Sequence, residues 1–342
     1  MTDRGKVVVT GISGFLGSHT AIQLLDKGYH VLGTLRDIQR AKQIKEVILE
    51  NASRAGRLEF AEADLLDREV WPGLMEGAEY VMHIASPFPR ALPKREEDLL
   101  LPAREGTLNV LRAASQADVK RVVLTSSTTA VAYGKLKGHR TGTYSELDWT
   151  DQSNLSDTTA YIRSKTAAER AAWDFIHKND GNPELVTILP GALLGPVLEK
   201  DFGTSANIVI KILDGSTPAY PKIGYDLADV RSVAELHLLA MESPDTAGER
   251  FIATAGYLVF SEIGEILREA YPDRKIPRGE LPNFLTRLIA HFESTLKPLA
   301  VEVGATRKLD NSKAVKQLGW QPIPPEEAVL ATADTVIKQG LV

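Results

Sequence analysis

The stretch Thr10-Gly11-Ile12-Ser13-Gly14-Phe15-Leu16-Gly17 limits what this chain can fold into more than any other. It follows the apolar run Val7-Val8-Val9 and leads into Ile22, Leu24 and Leu25, which lie at helical spacing before Gly28, a residue suited to closing a helix. The glycines have separate jobs. Gly11 permits a tight turn, Gly14 lets backbone N–H groups approach a pyrophosphate at the helix N-terminus, and Gly17 lets helix and strand pack closely. Ser13, Phe15 and Leu16 complete the expected contact set. A glycine triplet alone is weak evidence; between a strand and a helix it predicts dinucleotide binding.

The rest of the first half repeats this alternation of short apolar runs and amphipathic helical patterns, the mark of βαβ units. Strands are expected at 6–10, 29–35, 58–63, 80–85, 121–126 and 185–189, with a long helix at 99–114 before the fifth. The fold class is therefore α/β, a Rossmann-type doubly wound parallel sheet with a smaller C-terminal substrate lobe. Residues 1–190 are expected to form the nucleotide-binding domain, with later segments returning to it, and 191–342 mainly the lobe. Helices are expected there at 229–241, 261–270, 311–318 and 325–338. The loop from Gly134 to Gly142, with Lys135, Lys137, His139 and Arg140, reads as solvated surface.

Composition removes several chemistries. With no cysteine, the chain has no thiolate metal site, disulfide or cysteine nucleophile. A net charge of −5 offers no general attraction to nucleic acid or anionic membrane. No apolar stretch approaches bilayer length, so the expected compartment is the cytoplasm. The seven histidines are scattered, with no pair at helical metal-ligand spacing, and no metal is expected.

The second strand's end selects the dinucleotide. A carboxylate there would accept the ribose hydroxyls of NAD. Instead Leu35 stands at that position and Arg36 follows, and a guanidinium can pair bidentately with a 2′-phosphate. Lys42 and Arg40 lie just beyond; Asp37 is the competing ribose partner. NADP(H) is the expected cofactor. After the third strand Asp64-Leu65 is placed to meet the adenine, with a helix cap as the other role for Asp64. Ala85 and Ser86 close the fourth strand where the dinucleotide would pass, and Phe88 would wall the substrate side.

Tyr161 and Lys165 lie four residues apart, on one face of a helix expected to run to about residue 178. A fixed cation near a phenol favours the phenolate and brings the group toward a pKa useful in acid–base work. Thr125-Ser126-Ser127-Thr128 at the fifth strand's end adds a hydroxyl on the same rim; strand alternation lets only one of Ser126 and Ser127 face the cofactor.

In this order the glycine loop, the strand-end serine and the Tyr-x-x-x-Lys pair resemble the extended short-chain dehydrogenase/reductases. The similarity extends to the dihydroflavonol reductase-like group, through His83-Ile84-Ala85-Ser86-Pro87-Phe88, Arg121 to Ser127, Ala167 to Trp173, Asp229-Val230-Arg231 and Leu309 to Lys313. Cinnamoyl-CoA reductases carry an Asn-Trp-Tyr-Cys-like signature where this chain has Thr159-Ala160-Tyr161-Ile162, so the yeast-type methylglyoxal and ketone reductases match better. The resemblance implies an NADPH-dependent aldehyde or ketone reductase. Tyr161 would donate the proton, Lys165 would hold the nicotinamide ribose and lower the tyrosine pKa, and Ser127 would bind the substrate oxygen. It also implies that Thr125, Pro190 and Gly191 lie along the cofactor and that Asn109 holds a water or packs a helix. The expected partner is a small-molecule carbonyl substrate, the chain being a monomer or homodimer. Two other readings share these motifs: a nucleotide-sugar epimerase or dehydratase retaining NAD, disfavoured by Leu35-Arg36, and a non-catalytic NADP sensor, which needs no proton donor.

Overall fold

The computed structural model describes residues 4–54, 56–87, 95–199, 203–215, 218–292 and 297–342. Five strands come first: β1 (Arg4–Thr10), β2 (Tyr29–Leu35), β3 (Leu58–Glu62), β4 (Ala78–His83) and β5 (Arg121–Thr125). Then follow β6 (Gly142–Tyr144), β7 (Glu184–Pro190), β8 (Ala192–Leu194), β9 (Tyr220–Pro221), β10 (Gly224–Asp229), β11 (Arg250–Ala253), β12 (Gly256–Val259), β13 (Glu280–Leu281) and β14 (Arg307–Leu309). The central parallel sheet has the order β11-β7-β5-β4-β1-β2-β3. Its middle strands read as unbroken apolar runs because helices cover both faces; Val7, Val8 and Val9 are fully buried.

The helices are α1 (Phe15–Asp26), α2 (Ala41–Asn51), α3 (Trp71–Met75), α4 (Glu97–Gln116), α5 (Ala160–Lys178), α6 (Ala206–Leu213), α7 (Val230–Glu242), α8 (Phe260–Ala270), α9 (Asn283–Phe292), α10 (Ser312–Leu318) and α11 (Pro325–Lys338). One face of the sheet is covered by α1, α2 and α7, whose side chains share a buried cluster with Val9 and Ile188. The other carries α3, α4 and α5 around Val8, Val81 and Val122. None of these helices is long and apolar enough to cross a membrane, among the described residues.

Two sequence expectations shift. The fourth strand ends at His83 rather than residue 85, because the Thr10 hydroxyl takes the N–H groups of Ile84 and Ala85, each at 3.0 Å, and turns the chain out of the ladder. A seventh strand, β11, returns from the C-terminal half to pair with β7. Its four residues, Arg-Phe-Ile-Ala, are too short to carry a period-2 signal. The C-terminal helices fall where their periodicity placed them, and Asp229 proves to be the N-cap of α7, accepting from the Arg231 N–H at 2.8 Å.

The order reverses between β1 and β4: from β1 the chain winds toward β3, and from β4 toward β11. The crevice at the carboxyl ends of strands on either side of such a reversal is where doubly wound sheets bind ligands. A smaller sheet, β12-β10-β8, stands beside that edge, with β9 paired to β13 and β6 to β14.

Candidate active site

The glycine loop leaves β1 at this crevice. Gly11 has φ +69, and a Cβ on it would sit 3.0 Å from the Cα of Ala85. A Cβ on Gly17 would lie 2.2 Å from the Gly11 carbonyl oxygen, so helix and turn touch backbone to backbone. Gly14 donates its own N–H to the Gly11 carbonyl at 3.0 Å, which closes the turn and leaves α1 to begin at Phe15. A cradle that a single methyl would fill, opening on a helix N-terminus, fits a pyrophosphate. Thr10 pins it to the neighbouring strand through its bonds to Ile84 and Ala85 and a 2.9 Å contact with His83 Nδ1. Burial, with the nearby Lys165 ammonium, pushes the His83 pKa down to about 3, so this imidazole stays neutral.

At the end of β2, Leu35 is buried and Arg36 exposed. Asp37, the competing ribose ligand, accepts from the Gln39 N–H at 3.0 Å and caps a short helical turn. Arg40 is neither loose nor merely solvated: it pairs with Glu199 at 3.1 Å. Lys42 is exposed at the start of α2. The Asp64 carboxylate accepts from the Leu66 N–H at 2.8 Å and closes a turn; the next helix, α3, begins only at Trp71, so Asp64 is not its cap. Asn109 is 4% exposed and donates to the Leu65 carbonyl at 2.9 Å, tying α4 to the turn after β3.

The catalytic candidates meet across β5 and α5. Thr159 caps the helix by accepting from the Ile162 N–H at 3.3 Å, which sets the phase of Tyr161 and Lys165. Ser127 accepts from the Thr129 N–H at 3.2 Å and shares a hydrogen bond with the Tyr161 phenol. Ser126 points away, donating to Glu169 at 2.6 Å, so the choice between the two serines falls to Ser127. Lys165 reaches the Thr125 carbonyl at 3.5 Å, while the Thr125 hydroxyl bonds His237 Nε2 at 2.7 Å.

The electrostatics correct one expectation. Tyr161 opens on the cavity, yet its phenol is enclosed, and burial raises its pKa to about 12 against a smaller lowering by Ser127. Lys165 is not among the groups that move it. Instead the lysine is itself depressed to about 8 by burial, with Glu169 pulling it back up. The phenol is thus protonated at neutral pH, the form a proton donor requires.

Ser127, Tyr161 and Gly191 line a mainly apolar cavity of about 770 Å³, walled by Ala132 and Tyr133 from the first half and, for the larger part, by the C-terminal half, including Ile208, Ile212 and Phe260. Pro190, at the end of β7, accepts from the Thr128 hydroxyl at 3.3 Å. Ala85 and Ser86 are part-buried beside the glycine loop. Phe88, proposed as a substrate wall, lies outside the described residues. Among the described residues no group of three or more His, Asp or Glu could hold a metal.

Sequence reasoning missed the charged wall of this cavity. Glu302 accepts from the Tyr133 phenol at 2.9 Å and from Arg307 at 2.7 Å, and Arg307 continues to Asp157 at 2.5 Å. Arg140, read as solvated, lies 2.9 Å from the same Asp157. Nothing along the chain announces partners 150 residues apart. Asp226, also on the wall, is pushed by burial up to about 7 while it accepts from the Leu309 N–H at 2.9 Å.

The family model described as NAD dependent epimerase/dehydratase family matches residues 7–253, from β1 to the end of β11. The chain belongs to this family. A cinnamoyl-CoA reductase of Medicago truncatula is 35% identical over 280 residues, spanning 80% of this chain and 83% of its own length. An anthocyanidin reductase of Vitis vinifera is 32% identical over 305 residues, 84% of this chain and 88% of its own. Among solved structures, the yeast methylglyoxal/isovaleraldehyde reductase complexed with NADPH superposes with a TM-score of 0.80 at 28% identity, over 98% of this chain and 100% of that one. The resemblance drawn from the motifs agrees with these members. Identity is higher to the plant cinnamoyl-CoA reductase than to the yeast enzyme, although the Asn-Trp-Tyr-Cys-like signature is missing here.

Proposed function

We propose that this family member is an NADPH-dependent oxidoreductase that reduces an aldehyde or ketone to the alcohol. One observation carries the reading: Ser127 and a protonated Tyr161 share a hydrogen bond at the mouth of a large, mainly apolar cavity, at the strand edge where the glycine loop also ends. NADPH supplies the hydride for such a reduction. The protein's own groups supply the rest. Ser127 hydrogen-bonds the substrate oxygen and Tyr161 donates a proton to it as negative charge builds there. Lys165, one helical turn from Tyr161, holds the nicotinamide ribose.

Ser13, Phe15 and Leu16 would hold the pyrophosphate through backbone N–H groups, on a turn that Gly11, Gly14 and Gly17 let it approach closely. Arg36, with Lys42, would meet the 2′-phosphate, and Asp64 with Leu65 the adenine. Ala85, Ser86, Thr125, Pro190 and Gly191 would line the nicotinamide side. Residues 1–190 then mainly carry the nucleotide and 191–342 mainly shape the substrate cavity. The cysteine-free composition suits a cytoplasmic enzyme, acting as a monomer or homodimer.

The test is a spectrophotometric screen of NADPH oxidation against aldehydes, α-dicarbonyls, β-keto esters and flavanonols, repeated with NADH. Carbonyl-dependent oxidation, faster with NADPH, is the expected result. A protein that oxidises neither nucleotide with any of these sinks the reading.

A further inference from the structure

On α5, eight residues beyond Tyr161 and four beyond Lys165, Glu169 lies on the same helix face, and its side chain is fully buried. Its two carboxylate oxygens receive hydrogen bonds from three other elements. The Ser126 hydroxyl donates at 2.6 Å from the end of β5, the Thr187 hydroxyl at 3.0 Å from β7, and the Arg250 guanidinium at 2.8 Å and 3.3 Å from β11. Trp173, one turn along α5, adds its indole N–H at 3.3 Å. Arg250 is itself fixed, stacked 3.7 Å from the centre of the Trp149 ring and donating to the carbonyls of Glu146 and Asp148. A buried carboxylate with this many donors cannot shift without leaving several of them unpaired.

We infer that Glu169 is a positioning residue for the reduction: it fixes the strand end that carries Ser127 against the helix that carries Tyr161. This rests on the carbonyl-reductase reading. The geometry follows from Ser126. Its N–H is held by the Ile188 carbonyl at 2.7 Å and its hydroxyl by Glu169, so the next residue, Ser127, has little freedom to leave the Tyr161 phenol. The electrostatics follow from what surrounds Lys165: the Thr125 carbonyl on β5, neutral His83 on β4, and Tyr161 and Glu169 on its own helix. Of these side chains Glu169 supplies the negative charge, shared with the Arg250 guanidinium it pairs with at 2.8 Å, and it opposes the burial that would neutralise the amine.

Glu169→Gln alone strands the buried Arg250 cation, so the decisive variant is Glu169→Gln/Arg250→Met, which removes both charges together. At wild-type Tm, its kcat at pH 8 is expected to fall tenfold or more, with the carbonyl KM within about threefold of wild type. The alkaline limb of kcat should also move to lower pH, on top of a loss at every pH from the loosened Ser127. A wild-type kcat, or a loss that falls on KM instead, overturns the inference. Should that variant not fold, Ser126→Ala removes a single oxygen and is expected to lower kcat severalfold at unchanged KM; unchanged kcat overturns the inference equally. A wild-type protein that reduces no carbonyl counts instead against the proposed function. Glu169 is then tested by the pH dependence of NADPH binding in wild type and double variant, where identical curves overturn it.

Discussion

At the proposed catalytic end, Ser127 and Lys165 are less than a tenth exposed and Tyr161 is half-buried, each held by named hydrogen bonds or a helix cap. At the proposed adenosine end Arg36, Lys42 and Asp64 are exposed, and the Asp64 carboxylate closes the turn at Leu66. The contrast follows from what each end must do. Proton donation demands a fixed oxygen in a dry environment, where hydrogen bonds and charges act strongly. Recognition of a phosphate by a guanidinium gains its strength when the two meet, and an exposed arginine needs no desolvation beforehand. Preorganisation is concentrated where chemistry happens.

The sharpest way to break this contrast is Tyr161→Phe. Loss of one buried hydroxyl should reduce turnover by roughly 10²–10⁴-fold, the usual worth of a positioned general acid, while NADPH affinity stays near wild type. Steady-state kinetics beside a fluorescence titration of NADPH decides it, and unchanged turnover would remove Tyr161 from its role.

Preorganisation by burial should also show as a stability debt. Burial depresses Lys165 from its ordinary value to about 8, so the unfolded chain binds more protons between about pH 8 and its ordinary pKa of 10.5. Below pH 8 the lysine is charged in both states and destabilises the fold; the penalty disappears as pH rises through that window. Lys165→Met is therefore expected to be inactive yet more stable than wild type at pH 7, by roughly 1–3 kcal/mol. That advantage should shrink toward pH 10, as chemical denaturation at several pH values would reveal. A variant less stable at every pH would contradict it.

The adenosine end should respond more mildly. Arg36→Ala is expected to weaken NADPH by about tenfold and NADH by less than about twofold, since a charge-assisted bond at the surface contributes on the order of 1–2 kcal/mol. Lys42→Ala should reach no more than about threefold. Equal losses for both nucleotides would overturn the phosphate assignment, and both differences should narrow as salt is raised.

Local spacing made much of the molecule readable in advance. Gly11, Gly14 and Gly17 mark a turn and a helix start within one short stretch, and Tyr161 and Lys165 share a face because a helix repeats every 3.6 residues. The long helices follow the same rule. Glu169 was within reach of it too: an acid on the buried face of a catalytic helix is a signal that periodicity alone can raise.

What the chain could not disclose depends on segments far apart in sequence. Ser126 is taken up by a carboxylate 43 residues away, which leaves Ser127 as the candidate. The return of β11 to the sheet, the pairing of Arg40 with Glu199, and the Arg140–Asp157–Arg307–Glu302 cluster on the cavity wall all join distant residues. Sequence determines which groups share a helix face or strand end, because backbone geometry is periodic. Tertiary structure decides which of them are dry, paired and aimed at one another, because burial and charge depend on whatever packs across the gap.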